Sequence, residues 1–469
     1  MKDIRKIGII VFVLAAFIVV KVQPFMGLSP QGNGVIAITL LCLAFWIFRT
    51  GALPYFAGGA LLTAGGLLIQ IPLSVVMAGF TSSAVWVLIP ALFFGYALKR
   101  TGLGQRIAYF VLKTFKPSYI NICISWFIIG VVLSALTPSI TVRIAIVMPI
   151  AVSIAKACQL EDRSRGAALI CFTAWGAALL PGTGWQTGSL WGIFMMGFYP
   201  TAEIKALVTP GVWFQYMAFP WFFITVLFLS LLYLFFKPKL PLQISREAFK
   251  VEYARLGSIT KQEITCGLIL TAALILFSTE QWTGIRTPEA ALLAFAALMI
   301  FGIIKLPDIS AGVNWDTVVF FAMVMSLTAM FAQVGVSGWL QPIIAPGILS
   351  MAASPLMFLL GGTGILWLIR FIDIPWGFIT LALLAPIFVP LYEHYGLHPV
   401  IVSMVAIAAG NSFFLPYQQP FILIGDAITN SKGWTNSDVS LAGALYAFSV
   451  IAGLLFSYFY WKAMGLISA

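Results

Sequence analysis

The sequence of 469 residues has little charge: only 9% of its side chains are Asp, Glu, Lys or Arg, whereas 61% are hydrophobic. It has two histidines, and its five cysteines include no Cys-x-x-Cys pair. The shortage of charge excludes a water-soluble globular protein. The lack of His/Cys/Asp clusters argues against a metal centre and against an enzyme. The sequence also has no Walker-type loop, which argues against a nucleotide-driven pump.

Long apolar runs fill the rest of the chain, and none of them alternates with period two as a strand does. Runs near 20 residues predict membrane-spanning helices, so we predict an all-α polytopic membrane protein with about 11 transmembrane helices. The net charge of +11 does not indicate a nucleic-acid partner, because most basic side chains fall on one side of these spans. The excess of basic residues on the cytoplasmic side of membrane proteins predicts a cytoplasmic N-terminus. We expect the protein to lie in the lipid bilayer of the cytoplasmic (inner) membrane.

The two halves of the chain repeat one design. The recurring residues, 233 to 237 positions apart, are Gly102 and Gly335, Pro138 and Pro375, Pro149 and Pro386, and Pro181 and Pro416. A nearly constant offset indicates an internal duplication. In duplicated membrane folds, solutes bind where the helices are interrupted. This pattern is typical of a transporter.

We predict four segments: an extra N-terminal helix in residues 1–31, repeat one in 32–236, a basic cytoplasmic connector in 237–263 and repeat two in 264–469. The connector carries charged and polar residues, as a segment lying along the membrane interface does.

Each repeat contains a re-entrant hairpin, at 119–157 and at 355–392, and a broken helix, at 166–198 and at 399–428. The flanks of the first hairpin are both basic, so we expect its two ends on the same side. An odd number of spans between equivalent positions inverts the second copy. The sequence therefore predicts an inverted-topology repeat.

Interrupted backbone is costly in hydrocarbon, so the hairpin tips and helix breaks are expected around a cavity or a bound solute. A proline suits the first turn of an outgoing helix, whose N-terminus favours an anion. The alternative is that these prolines only kink packed helices.

At these positions the chain resembles the divalent anion/sodium symporter family of the ion transporter superfamily. That family carries Ser-Asn-Thr at each hairpin tip. Here the first tip is Ser139-Ile140-Thr141, and residues 138–143 are most similar to the Pro-Ser-Asn-Thr-Ala-Arg of the exchanger branch. The second tip is Trp376-Gly377-Phe378, which keeps none of the motif. The resemblance implies a dicarboxylate, citrate or sulfate as substrate, a homodimer and an elevator-type movement.

The candidate residues lie at the tips and breaks. Those for substrate binding are Ser139, Thr141, Arg143, Thr183, Gln186, Thr187, Trp376, Gly377, Gln418 and Gln419. Those for the coupling ion, Na⁺ or H⁺, are Asp373, Ser139 and Gly182; no other cofactor and no metal is expected. An intramembrane charge indicates function by default.

Three of these assignments have structural alternatives. In the functional hypothesis, the planar guanidinium of Arg143 binds substrate oxygens. In the structural alternative, the side chain extends to the membrane interface or binds carbonyls of the hairpin. Asp373 exchanges protons or ligates a cation, or it caps a helix and pairs with Arg370. The glutamines at 418 and 419 face a polar cavity, or they form hydrogen bonds between helices.

The sequence thus predicts a secondary active transporter of a small anion, driven by cation symport or anion exchange. With the Ser-Asn-Thr motif eroded at one tip and absent at the other, we expect weaker sodium dependence than in the family's symporters. An anion channel of the same fold is the alternative, and an integral membrane enzyme is a third possibility.

Overall fold

A computed structural model describes residues 2–47, 54–199, 201–239, 242, 245–371 and 388–467. All the regular structure in these residues is helical. Eight of the described helices are long and apolar enough to cross a membrane, and six shorter helices are also apolar. The prediction of an all-α polytopic membrane protein is confirmed.

The helices are numbered here in chain order. In the first half they are α1 (Lys2–Val22), α2 (Pro30–Ile47), α3 (Phe56–Leu68), α4 (Leu73–Val76), α5 (Ser83–Thr101), α6 (Leu103–Thr114), α7 (Tyr119–Leu136), α8 (Ile140–Ala157), α9 (Arg165–Leu179), α10 (Leu190–Phe198), α11 (Ala202–Ala206) and α12 (Pro210–Phe236). In the second half they are α13 (Arg246–Arg255), α14 (Lys261–Ser278), α15 (Glu280–Thr283), α16 (Thr287–Ile300), α17 (Leu306–Ala311), α18 (Trp315–Gln333), α19 (Val336–Ala352), α20 (Pro355–Ile369), α21 (Phe388–Tyr395), α22 (Pro399–Asn411), α23 (Pro420–Ile428) and α24 (Asn436–Ala463).

Several repeated positions have the same local structure. Gly102 separates α5 from α6 and Gly335 separates α18 from α19, with φ of 82° and 78°. This left-handed conformation is accessible to glycine at little cost. The first predicted hairpin is the pair α7 and α8, whereas the tip of the second lies at 372–387, outside the described residues. The repeat boundaries and the re-entrant topology stay predictions.

The described helices form two compact units. Unit one consists of Met1–Ile89, Phe194–Leu207 and Asn314–Ala406, and α18 lies at its centre against α3 and α4. Asp316 in the first turn of α18 accepts hydrogen bonds from the backbone N–H groups of Tyr55 and Phe56, at 2.9 and 2.7 Å. A carboxylate thus satisfies two orphan donors at the start of α3.

Unit two consists of Pro90–Ile193, Val208–Val313 and Ile407–Ala469. Its centre is α9, which packs against α7, α8 and α12. Every residue of α9 after Arg165 is buried. The 3₁₀ turn at Pro181–Gly184 that follows it is buried as well, so this interruption lies inside the unit.

The connector forms a short helix, α13, that is bound to α6 by two arginines. Arg246 donates from Nε and Nη2 to the carbonyls of Lys113 and Thr114 at the end of α6, at 2.8 and 3.0 Å. Arg106 of α6 donates in turn to the carbonyls of Leu256 and Gly257 beyond the end of α13, at 3.1 and 3.0 Å. Each guanidinium satisfies carbonyls that the other helix leaves without intrahelical partners.

Arg106 also forms a buried ion pair with Glu263 in the first turn of α14, with 2.6 Å between Nε and Oε1. The side chains are 8% and 4% exposed. The hydrogen bond to Glu263 raises the pKa of Arg106 above its usual value. The pair joins α6, the connector and α14 in one buried contact.

We predict that Arg106→Ala lowers the unfolding midpoint of the purified protein strongly. Breaking one side of a buried ion pair costs about 3–5 kcal/mol, because the remaining charge loses its partner. The matched control is Arg255→Ala, which breaks an exposed pair with Glu252 (69% and 40% exposed) and is expected to change little. Equal midpoints for the two variants would show that the buried pair is not a stabilising contact.

Candidate functional site

The tip of the first hairpin is a short extended segment between two helices. Thr137 has φ −157° and ψ 136°, so α7 ends there, and Pro138 cannot continue the helix. Ser139 begins α8 as its N-cap, accepting a hydrogen bond from the N–H of Val142 at 3.4 Å. The Thr137 hydroxyl accepts from the N–H of Ser139 at 3.1 Å. The tip thus satisfies its own backbone donors with hydroxyl oxygens.

The first helix break follows α9. After Leu179 the chain forms a 3₁₀ turn at Pro181–Gly184, and the α-helical conformation resumes only at Leu190. The Thr183 hydroxyl donates to the carbonyl of Leu180, and the indole N–H of Trp213 donates to the carbonyl of Thr183 at 2.9 Å. Side chains here replace the hydrogen bonds that the interrupted helix loses.

Arg143 joins the tip to the break. Its side chain is completely buried, and its Nη1 donates to the carbonyl of Gly188 at 2.8 Å and to that of Thr137 at 3.3 Å. The guanidinium therefore does not snorkel to an interface. Of the alternatives that the sequence leaves open, binding to a hairpin carbonyl is observed, at Thr137. Only Nη1, one of the three guanidinium nitrogens, takes part in it.

The remaining nitrogens of Arg143, Nε and Nη2, have no hydrogen-bond partner among the described residues, although both are buried. No described acidic side chain forms an ion pair with this arginine. Nε and Nη2 share one edge of the planar guanidinium, which is the geometry that grips a carboxylate in a bidentate manner. A buried cation without a counter-charge is costly, so this edge favours an anion.

Gly182 gives the guanidinium its space. A Cβ at this position would lie 2.6 Å from Nη1 and 2.7 Å from Nη2 of Arg143, and 2.3 Å from the carbonyl oxygen of Gly188. Contacts this short require the guanidinium or the backbone of the break to move. The sequence suggests Gly182 for the coupling ion, whereas its observed contact is with the arginine.

The second break, between α22 and α23, is held by its own glutamines. The side-chain oxygen of Gln418 accepts from the N–H groups of Phe414 and Leu415 at 2.8 and 2.9 Å. The side-chain amide of Gln419 donates to the carbonyl of Asn411 at 3.0 Å. Both glutamines are buried, and their observed partners are backbone groups of the break.

A hydrogen bond that the sequence did not suggest connects the two breaks. The indole N–H of Trp191, just after the first break, donates to the side-chain oxygen of Asn411, just before the second, at 2.9 Å. Both side chains are buried. The available signal was Asn411 itself, a poor helix former placed directly before a broken segment.

The other candidates are dispersed. Thr141 is exposed, whereas Thr187 is buried. The buried amide of Gln186 donates to the carbonyl of Val208 at 3.1 Å. Asp373, Trp376 and Gly377 lie outside the described residues. In the part of the chain that the structure describes, no cluster of His, Cys, Asp and Glu could hold a metal ion.

We predict that Gly182→Ala destabilises the protein, because overpacking a closely packed site typically costs about 1–3 kcal/mol. The matched control is Gly211→Ala in the first turn of α12, where an added Cβ would have Thr209 Oγ1 as its nearest neighbour at 4.0 Å. Thermal unfolding of both variants measures the difference. A Gly182→Ala midpoint equal to that of the control would contradict the close approach of Arg143.

Comparison with known structures shows a related fold. The crystal structure of the YdaH transporter of Alcanivorax borkumensis superimposes with a TM-score of 0.56 at 16% identity, covering 93% of this chain and 98% of that one. At this identity the likeness concerns the fold alone.

Relatives in sequence are distant. A membrane protein of Cupriavidus necator is 25% identical over 71% of this chain and 68% of its own length. Dicarboxylate transporter 2 of the Spinacia oleracea chloroplast is 23% identical, covering 70% of this chain and 59% of its own. The putative malate transporter YflS of Bacillus subtilis is 23% identical, covering 72% and 71%.

The family model for the sodium:sulfate symporter transmembrane region matches residues 4–467, nearly the whole chain. Its members are transporters rather than enzymes. The resemblance seen at the hairpin tips is confirmed, and the chain belongs to the divalent anion/sodium symporter family.

Proposed function

We propose that this protein is a secondary active transporter that moves a small carboxylate or sulfate-like anion across the cytoplasmic membrane. The observation that carries the proposal is Arg143, a fully buried arginine with two unpartnered nitrogens on one edge. A substrate carboxylate would supply the missing charge and accept both hydrogen bonds. Di- and tricarboxylates are favoured, because a spinach relative is named a dicarboxylate transporter and a Bacillus subtilis relative a putative malate transporter.

The substrate site that we propose lies beside the first tip and the first break. Arg143 anchors one anionic group, and Ser139 is the nearest hydroxyl of the tip along the chain. Thr183 contributes its oxygen as an acceptor only, because its proton is donated to Leu180. Trp376 and Gly377 of the second tip stay candidate substrate residues of this proposal on the sequence alone.

The proposed driving force is exchange of anions or symport with protons rather than strong sodium coupling. Carbonyl oxygens are preferred ligands of hard cations. Here Arg143 Nη1 already binds two of them, those of Thr137 and Gly188, and thus places a fixed positive charge among oxygens that could otherwise surround a cation. The proposal keeps Asp373 as the group that would exchange a proton.

The proposed movement is of the elevator type, in a homodimer with a cytoplasmic N-terminus. The inverted repeat predicted from the sequence favours alternating access, because exchanging the conformations of two related halves would expose one site to either side. The basic side chains of the connector and of the loop before α7 support the assigned sidedness.

We predict that Arg143→Lys impairs uptake of radiolabelled malate into proteoliposomes while leaving the amount of folded protein unchanged. Lysine keeps the charge but loses the planar fork. Loss of a charged hydrogen bond costs about 1.5–3 kcal/mol, so we expect roughly a 10- to 100-fold lower ratio of maximal rate to KM. Arg255→Lys, on the exposed connector, is the control. Unchanged kinetics in Arg143→Lys would assign the arginine a purely structural role.

For coupling, we predict that internal malate drives uptake of external malate in proteoliposomes, whereas a sodium gradient alone does not. Saturable counterflow would also distinguish a carrier from an anion channel, whose flux rises linearly with concentration. Asp373→Asn is expected to abolish any uptake driven by a pH gradient and to leave exchange intact. Strong accumulation driven by sodium alone would overturn this assignment.

A further inference from the structure

A groove lies between α7 and α12, away from the tip and the breaks. Residues 120–127 of α7 and 226–234 of α12 line a cavity of about 290 Å³. Neither Arg143 nor any other candidate substrate residue lines it. Both ranges are at the basic ends of their helices, near Lys116 before α7 and Lys237 after α12.

The groove is apolar and open to the outside of unit two. Ile120 is 49% exposed, Val226 47% and Leu234 69%. Val226, Ser230 and Leu234 recur at intervals of four, so they form one face of α12. Leu229 and Cys123 form its buried floor. A groove with this lining fits a hydrocarbon chain better than a polar solute.

Positive charge is concentrated at one end of the groove. The ammonium group of Lys237 lies 5.1 Å from the centre of the Tyr233 ring, which lines the cavity. Arg165 donates to the carbonyl of Phe235 at 3.0 Å, so its guanidinium lies at the end of α12 as well. Lys116 is four residues before Ile120, and all three cations are exposed.

We propose that this groove binds one acyl chain of an anionic phospholipid, with the phosphate held by Lys237, Lys116 and Arg165. An apolar cleft with cations at one end is complementary to an amphipathic ligand that has an anionic head and a hydrocarbon tail. Basic side chains beside a membrane surface attract anionic lipid headgroups. The ligand is distinct from the transported anion, because its site contains no residue of the hairpin tip or the breaks.

The test uses the full-length purified protein and phosphatidylglycerol as the probe. Native mass spectrometry measures how much phosphatidylglycerol the protein retains, with phosphatidylcholine for comparison. Glycerol 3-phosphate is the third arm, which separates binding of the whole lipid from binding of a free phosphate group. We expect retention of phosphatidylglycerol over phosphatidylcholine, and a higher unfolding midpoint with phosphatidylglycerol but not with glycerol 3-phosphate.

Two pairs of variants make the result specific. Ser230→Trp fills the groove and is expected to abolish retention, whereas Leu268→Trp adds the same ring to the exposed face of α14 (Leu268 is 66% exposed) and is expected to retain lipid normally. Lys237→Gln and Lys116→Gln are each expected to lower retention roughly fivefold, and the exposed Lys305→Gln is expected to have no effect.

Several outcomes would overturn the proposal. Equal retention in Ser230→Trp and Leu268→Trp would show that lipid binds elsewhere, and equal retention of both phospholipids would show that the cations do not select a headgroup. Because the readout is lipid retention and not transport, failure here would leave the assignment of Arg143 untouched, and failure of malate transport would leave this site untouched.

Discussion

The Arg143 guanidinium is the contact on which the hairpin tip and the first helix break both depend. It is fully buried, it binds a carbonyl of each segment, and glycine at position 182 makes room for it. One nitrogen is used to hold these two interruptions together. The edge formed by the other two has no partner among the described residues, and the proposed anion site is built on it. A single side chain can serve both purposes, because arginine has five donors in one rigid plane.

The two breaks satisfy their backbone by different means. At the first, a distant indole from Trp213 and the arginine supply the donors. At the second, the side-chain oxygen of Gln418 accepts from backbone N–H groups, and the side-chain amide of Gln419 donates to a backbone carbonyl. The two breaks are nevertheless joined by the hydrogen bond between Trp191 and Asn411. The helix is interrupted at both places, but the side chains that satisfy the backbone differ.

Much of this arrangement could be predicted from the sequence. The lengths of the apolar runs predict a membrane protein made of helices. The prolines predict the interruptions at Pro138 and Pro181, which the structure shows between helices. Both signals are local in the sequence. The partners of the polar side chains could not be predicted, since the contact of Trp191 with Asn411 joins residues 220 positions apart. For Gln418 and Gln419 the sequence leaves a polar cavity and hydrogen bonds between helices as alternatives, and their described bonds are to nearby backbone groups. Composition shows that a buried glutamine needs a partner, but not which one it has.

The glutamines of the second break have one more consequence. Gln418 and Gln419 bind three of the backbone groups at this break, so these groups have partners within the protein itself. The Nε and Nη2 atoms of Arg143, in contrast, have no hydrogen-bond partner among the described residues. The two breaks therefore differ in what they leave open: the backbone groups described at the second have partners within the protein, whereas one edge of the arginine at the first has none among the described residues.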